Sequence, residues 1–353
     1  MPTHLINSAD SHVMEPKDLW LRKLPPKLAE LGPRSVTEGD REIVYVDGKV
    51  IRRDPLAFIE SLRPPGAYDP IARLADLDDQ GVRSEVIFPS LGLWCTLIDD
   101  PELALASSQV YNDYLAEEFM AVSDRFVGVP IVPVVDVDDA VGEVKRVAEM
   151  GYRTVGLQAA APAGRPYNLP EYDPLWATIA EVGLPISMHV STGSDPITNR
   201  GPGAALINYL ECRLPPFSTL SQLIGAGVLE RHPDLHVVFT EGGGTWLAAA
   251  VEMLDEGFHY THPHYVRPKL SMPPSDFVRR QVHVTFQHDK SVMKLTDVIG
   301  VDALMFGTDY PHLEGTWPDT QKVVEELFGD LPAPVREAVT FGNLTRVYGP
   351  PTP

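Results

Sequence analysis

The sequence predicts an α/β protein, a (β/α)8 TIM barrel built as a single domain over residues 1–353. Eight short apolar or β-branched runs recur along the chain, and eight is the strand number that closes a parallel barrel. Helical patterns separate most of the runs, as crossover connections between parallel strands require. Acidic and histidine side chains follow the first, fifth and eighth runs, and a closed barrel brings those three strand ends to one mouth. A doubly wound open sheet produces the same alternation but gives no reason for that placement.

The first run is residues 5–9 (LINSA), and the second is 84–90 (SEVIFPS). Between them lies a Pro-rich insertion over about residues 16–69. Within it Asp47-Gly48 is flanked by Glu42-Ile43-Val44-Tyr45-Val46 and Lys49-Val50-Ile51-Arg52, which reads as a β-hairpin with a type I′ turn. We expect it to lie as a flap over or beside the barrel mouth. The remaining runs are 126–135 (FVGVPIVPVV), 154–159 (TVGLQA), 185–190 (PISMHV), 236–240 (HVVFT), 282–286 (VHVTF) and 304–308 (LMFGT). Their near-continuous apolar character is that of parallel strands buried on both faces.

Helical periodicity with polar faces is read over Pro101 to Arg125, Val137 to Met150, Leu175 to Val182, Leu206 to Glu230 and Thr245 to Phe258. A second insertion, His259 to Pro274, is rich in His, Pro and Tyr and is expected to cover the mouth or meet another subunit. Its His259, His262 and His264 suggest a second metal, but an exposed loop explains them more simply. Gly349 to Pro353 is expected to fray.

Composition narrows the class of function. A hydrophobic share of 44% and a charged share of 22% are those of a globular protein with a large core. The formal net charge of -20 argues against partners such as nucleic acid or an anionic membrane, which need a basic surface. An anionic substrate must therefore meet locally placed cations. Two cysteines, Cys95 and Cys212, make no disulfide framework and lie in no CxxC spacing. No leader-like segment or long apolar span is read, so the expectation is a cytoplasmic enzyme acting on a small molecule.

The chemistry is concentrated after the strands. In Ala9-Asp10-Ser11-His12, residues two apart in extended backbone point to the same side, so Asp10 and His12 can both face a cation on the barrel axis. Taken alone, Asp10 as a turn cap and His12 as a structural histidine serve equally well. His189 ends the fifth run, on the face where barrels of this type carry their active sites. Asp309 follows the eighth run, and a carboxylate beside so apolar a strand needs a metal or a cation. Together Asp10, His12, His189 and Asp309 read as ligands of one divalent metal ion.

Glu241 precedes Gly242-Gly243-Gly244 after the sixth run and projects into the same mouth, as a base, proton donor or extra ligand; a structural ion pair is the bland alternative. The glycines allow close backbone approach to a ligand but lack the spacing of a phosphate loop. Glu15 is near enough in a turn to reach the metal or one of its ligands. His288 and His312, after strands seven and eight, together with Trp94 and Arg52, are candidate substrate contacts, whereas His232 and His236 fall on the opposite, stabilising face.

These residues resemble the amidohydrolase-related family typified by aminocarboxymuconate semialdehyde decarboxylase, which also includes resorcylate-type decarboxylases and several hydrolases. The resemblance spans nearly the whole chain and rests on Asp10-Ser11-His12, His189, Glu241-Gly242-Gly243-Gly244 and Gly307-Thr308-Asp309-Tyr310-Pro311-His312. It implies a barrel with one divalent metal, usually zinc or manganese, held by the first motif, His189 and Asp309. Many members carry His-x-His or Glu-x-His where this chain has Asp-x-His, and the harder oxygen tilts the choice toward manganese or magnesium. Many also carry a histidine for proton transfer where this chain has Glu241.

The resemblance implies a metal-dependent lyase that decarboxylates an aromatic or unsaturated carboxylic acid, with Glu241 and Asp309 as catalytic groups. A metal-dependent hydrolase of an ester, lactone, amide or activated carbon-carbon bond is the alternative, with Asp309 as the base for water. A barrel that has lost catalysis and only binds is the third reading, and it predicts broken ligand positions. A homodimer or higher homo-oligomer is expected from the insertions and from the resemblance.

Overall fold

The computed structural model describes residues 4–61, 63–195, 197–261, 265 and 268–349. Eleven strands are present among them: β1 (Ile6–Val13), β2 (Arg34–Glu38), β3 (Arg41–Val46), β4 (Lys49–Pro55), β5 (Val82–Pro89), β6 (Phe126–Gly128), β7 (Val155–Gln158), β8 (Ile186–His189), β9 (Val237–Thr240), β10 (Val282–Phe286) and β11 (Leu304–Phe306). Eight of them, β1 and β5 to β11, coincide with the eight apolar runs. All eight pair in parallel, β1-β5-β6 in one arc and β7-β8-β9-β10-β11 in another. Single parallel bridges join the arcs, Ile131 to Gly156 at one seam and Ser11 to Tyr310 at the other, so the barrel closes. At the first seam a Cβ on Gly156 would lie 2.0 Å from the Pro130 carbonyl oxygen, so the strands approach only because that residue is glycine.

The short strands β7, β8 and β9 are buried along their whole length, as burial on both faces predicts. Inside the barrel Ala9, Val86, Phe88, Val127, Val129, Val238 and Met305 pack with Leu344 and Tyr348 from the last helix, Asn343–Tyr348. That helix closes the end away from the mouth. Asn343 Nδ2 donates to the carbonyls of Val301 and Leu304, and the Tyr348 hydroxyl lies 2.9 Å from Ser187 Oγ.

The expected helices are present, with one difference. The Leu206 to Glu230 stretch is three helices, Ala204–Glu211, Pro215–Gly225 and Val228–Arg231. Pro215 and Pro216 cannot continue a helix from the preceding turn, and Gly227 at φ +70 interrupts the next.

The insertion after β1 holds an antiparallel sheet of order β2-β3-β4, so the expected hairpin is one half of a three-stranded unit. Asp47 and Gly48, both at positive φ (51° and 70°), make the tight turn between β3 and β4. This insertion, with Val44 and Arg52 from its sheet, roofs the barrel mouth. The described part of the second insertion lends no residue to the cavity at the mouth, and His262 and His264 lie outside the described residues. His259 is exposed. No described helix is long and apolar enough to cross a membrane.

Candidate metal centre and active site

Strand β1 is irregular where its chemistry lies. Three residues, Ser8 to Ser11, advance against two on β5, Glu85 to Ile87, and such a bulge re-aims the side chains within it. Asp10 and His12 turn into the mouth, and the backbone there is tied to the eighth strand end: Asp309 N–H donates to the Asp10 carbonyl (2.9 Å) and His12 N–H to that of Tyr310 (2.6 Å). The two motifs at opposite ends of the sequence therefore form one rigid piece.

His12 and His189 have their protons placed by the backbone. His12 Nδ1 lies 2.9 Å from the Pro89 carbonyl oxygen and His189 Nδ1 2.8 Å from that of Val190. A carbonyl only accepts, so each Nδ1 is the donor, and each Nε2 is turned toward the centre of the mouth. Those two Nε2 atoms face each other at 3.2 Å. Asp10 Oδ1 lies 3.7 Å from His12 Nε2 and 3.8 Å from His189 Nε2, while Asp309 Oδ1 is 3.5 Å from His12 Nε2. Asp10 Oδ1 and Asp309 Oδ2 are buried with no hydrogen-bond partner among the described residues. Histidine nitrogens and unpartnered carboxylate oxygens that converge in this way are a site for a cation, and these residue types fit a divalent metal.

Two further groups complete the cluster. Glu241 Oε2 lies 3.0 Å from His189 Nε2, and its Oε1 accepts from Arg213 Nη2 at 3.1 Å. His312 Nδ1 lies 2.8 Å from Asp309 Oδ1, and its ring centroid is 4.1 Å from that of His12. Glu241 (φ 62°) and Asp309 (φ 53°) both adopt left-handed backbone, rare for residues other than glycine and a form of strain that clusters at functional sites.

Burial sets the electrostatics, and neighbours modulate it. Burial, with Asp309 and Glu241 nearby, pushes the Asp10 carboxyl well above its usual range. Asp309 is raised mainly by burial, and His12 is lowered by burial and by the adjacent His312 and His189. For Glu241 burial works upward but is outweighed by His189, His312 and Arg213, so it stays a carboxylate. His312 runs the other way: burial lowers it, and Asp309 and Glu241 more than restore its affinity for a proton.

Beyond the centre, several supports are absent from the sequence reading. Gln287 Nε2 donates to Asp10 Oδ2 at 3.1 Å. Arg73, fully buried, pairs with Glu85 through Nε (2.6 Å) and Nη2 (2.9 Å), and its Nη1 donates to the His12 carbonyl at 2.7 Å. Arg213 lies 3.7 Å from the centroid of the Tyr209 ring. The only sequence signal for Arg73 and Arg213 is a charged residue in a helical pattern, which is ordinarily a solvated face.

A cavity of about 620 Å³ opens from this centre. His189, Glu241, His312 and Arg213 lie at its floor, and Trp94 and Arg52, two of the expected substrate contacts, line it. Arg52 is paired there with Asp54 at 2.7 Å. His288 does not line the cavity; it is exposed, with Nε2 2.9 Å from the Glu314 carbonyl oxygen. Glu15 points away from the metal centre and accepts from the backbone N–H groups of Ser90, Leu91 and Gly92, fixing the loop after β5. Gly244 of the triple glycine serves packing: its N–H donates to Asp289 Oδ2, and a Cβ there would meet Val292 Cγ2 at 2.5 Å.

Comparison with known proteins places the chain among relatives. The family model described as Amidohydrolase matches residues 12–349. A 2-amino-3-carboxymuconate-6-semialdehyde decarboxylase from Dictyostelium discoideum is 24% identical over 314 residues, covering 87% of this chain and 81% of the relative. Among solved structures, an amidohydrolase from Mycobacterium avium subsp. paratuberculosis K-10 superposes with a TM-score of 0.84 at 23% identity, over 99% of both chains. A 5-carboxyvanillate decarboxylase from Novosphingobium aromaticivorans DSM 12444, complexed with manganese and 4-hydroxy-3-methoxy-5-nitrobenzoic acid, superposes with a TM-score of 0.72 at 19% identity, over 98% of this chain and 96% of that one.

Proposed function

We propose, from the premise that this chain belongs to the amidohydrolase family, that it is a metal-dependent lyase removing carbon dioxide from an aromatic or unsaturated carboxylic acid. The observation that carries the reading is the convergence of two histidine Nε2 atoms and two unpartnered carboxylate oxygens at the floor of an open cavity. The intact donor set weighs against a barrel that only binds. Two kinds of likeness support decarboxylation over hydrolysis. The Dictyostelium relative is a decarboxylase, and so is the manganese-containing structural neighbour.

Asp10, His12, His189 and Asp309 would hold one divalent ion, zinc or manganese, with the two aspartates favouring the harder manganese or magnesium. When bound, such an ion supplies positive charge that draws electron density from the acid as its carbon-carbon bond breaks. The chain's own groups do the rest. Arg73 and the two carbonyl-bound Nδ1 atoms keep His12 and His189 in one orientation. Glu241, held as a carboxylate, would accept a proton from water at Oε2 and pass it at once to the carbon that the carboxyl group leaves, so that one proton is consumed per carbon dioxide released. Asp309 orients His312 through Nδ1, and His312, Trp94 and Arg52 bound the space in which the acid lies.

The chain also reads as a cytoplasmic homodimer or higher homo-oligomer acting as one unit over residues 1–353. Both cysteines are free thiols, and the helix Ala204–Glu211 exposes Leu206 and Leu210 beside the cavity mouth, where a second copy would cover them.

The test is a substrate panel. Protein loaded with manganese or zinc is offered aromatic and unsaturated carboxylic acids, and release of carbon dioxide that disappears in Asp309→Ala is expected. Turnover of esters, lactones or amides with no acid decarboxylated would replace the lyase by the hydrolase.

A further inference from the structure

The cavity is larger than a single-ring acid requires. At roughly 20 Å³ per heavy atom, an acid the size of benzoate fills on the order of a third of its 620 Å³. The remainder would hold water against the reacting bond. One side of its outer wall is apolar. Val44 from β3 and Ile59 from the short helix Leu56–Ser61 come from the insertion; Leu91, Leu93 and Trp94 come from the loop and turn after β5; Ala204 opens the helix Ala204–Glu211. These apolar side chains come from three separate segments and enclose one space that is continuous with the metal end.

The wall is built, not incidental. Val44 and Trp94 are both buried, and Glu15, bound to the backbone of Ser90, Leu91 and Gly92, fixes the loop that carries Leu91 and Leu93. Of the cations at the cavity wall, Arg52 is matched with Asp54 and Lys17 and Arg63 with Glu42, while Arg200 donates to the backbone carbonyls of Ile197 and Asn199. The outer cavity therefore offers an apolar wall beside cations that already have partners, and an apolar group fits that wall.

We propose that the substrate is an extended acid, with a carboxylate at the metal end and a second ring, or an apolar chain of similar size, in the outer cavity. This rests on the carboxylic-acid reading given above. A second ring buries on the order of 100 Å² of apolar surface, worth about 70-fold in affinity before ordering and desolvation take their share, so about 10-fold is expected.

The experiment measures binding by calorimetry to full-length, manganese-loaded protein, with benzoate and biphenyl-3-carboxylate as probes. Biphenyl-3-carboxylate should bind about 10-fold more tightly. Ala204→Trp, which fills the wall, and Ile59→Asp, which makes it polar, should each cut that preference below about threefold while benzoate affinity, reporting an intact metal end, stays near the wild-type value. Equal affinities for the two acids in the wild type would overturn the proposal, and so would a preference that survives both substitutions. If neither acid binds the loaded protein, the carboxylic-acid reading itself fails and takes the proposal with it.

Discussion

His12 Nε2 and His189 Nε2 face each other at 3.2 Å, and the opposite nitrogen of each ring is held against a backbone carbonyl. A cation between these two ring nitrogens would be held by both, and the protein fixes them there from β-strands on opposite sides of the barrel. The geometry is thus prepared before any cation arrives, and the fold bears the cost of holding it.

Metal and stability should be linked as a consequence. Manganese or zinc that binds only the folded state raises the unfolding temperature in proportion to the logarithm of its concentration. Calorimetry of chelator-treated protein with and without added metal checks this, and elemental analysis should find about one equivalent in the wild type and none in His189→Ala or Asp309→Ala. Gln287→Ala, which frees Asp10 Oδ2, should weaken metal affinity by about 10- to 100-fold and leave the fold intact.

Glu241→Gln keeps the shape of the side chain and its contact with Arg213 but cannot carry a proton. Turnover of whichever acid is decarboxylated should fall by about 100- to 10,000-fold with metal content unchanged. Unchanged turnover would remove Glu241 from proton transfer.

The Arg73–Glu85 pair has both side chains fully buried. Removing one partner strands the other's charge, so Arg73→Met should cost about 3–5 kcal/mol in chemical denaturation, and Arg73→Met with Glu85→Leu should recover much of it. Since Arg73 also donates to the His12 carbonyl, both variants should bind metal less tightly than the wild type.

Gly156→Ala tests the barrel seam. Its Cβ would stand 2.0 Å from a backbone oxygen that cannot swing aside, so the bridge to Ile131 must open. A loss of about 2 kcal/mol or more is expected from urea unfolding.

At the opposite end of the barrel, burial and the neighbouring His236 push His283 down to about 3 from an ordinary 6.5. His236 Nδ1 and His283 Nε2 are 3.0 Å apart. A depressed histidine stays neutral when folded but protonates when unfolded, so its contribution is complete above pH 6.5 and is lost as pH falls toward 3. Stability should drop across that window by at most about 1.4 kcal/mol per pH unit from this group. His283→Gln should flatten the slope; an unchanged slope in denaturation measured from pH 7 to 4 would refute the assignment.

The sequence by itself pointed to the eight strands, the barrel and six groups that meet at its mouth, Asp10, His12, His189, Glu241, Asp309 and His312. Parallel strands buried on both faces must be apolar, and the polar residues that end them stand out against that background, as His189 does after Ile186-Ser187-Met188 and Asp309 after Leu304-Met305-Phe306. Tertiary structure alone decided the rest. Arg73, Arg213 and Gln287 sit in segments whose local pattern is that of solvated helix or loop, and their burial against His12, Glu241 and Asp10 comes from elements distant in sequence. Glu15 and His288, close in sequence to ligands or strand ends, are turned elsewhere by backbone partners, Glu15 to the N–H groups after β5 and His288 to the Glu314 carbonyl. Residue type and strand position follow local rules of burial, whereas the direction of a side chain leaving a loop is set by whichever partner the closed barrel brings within reach.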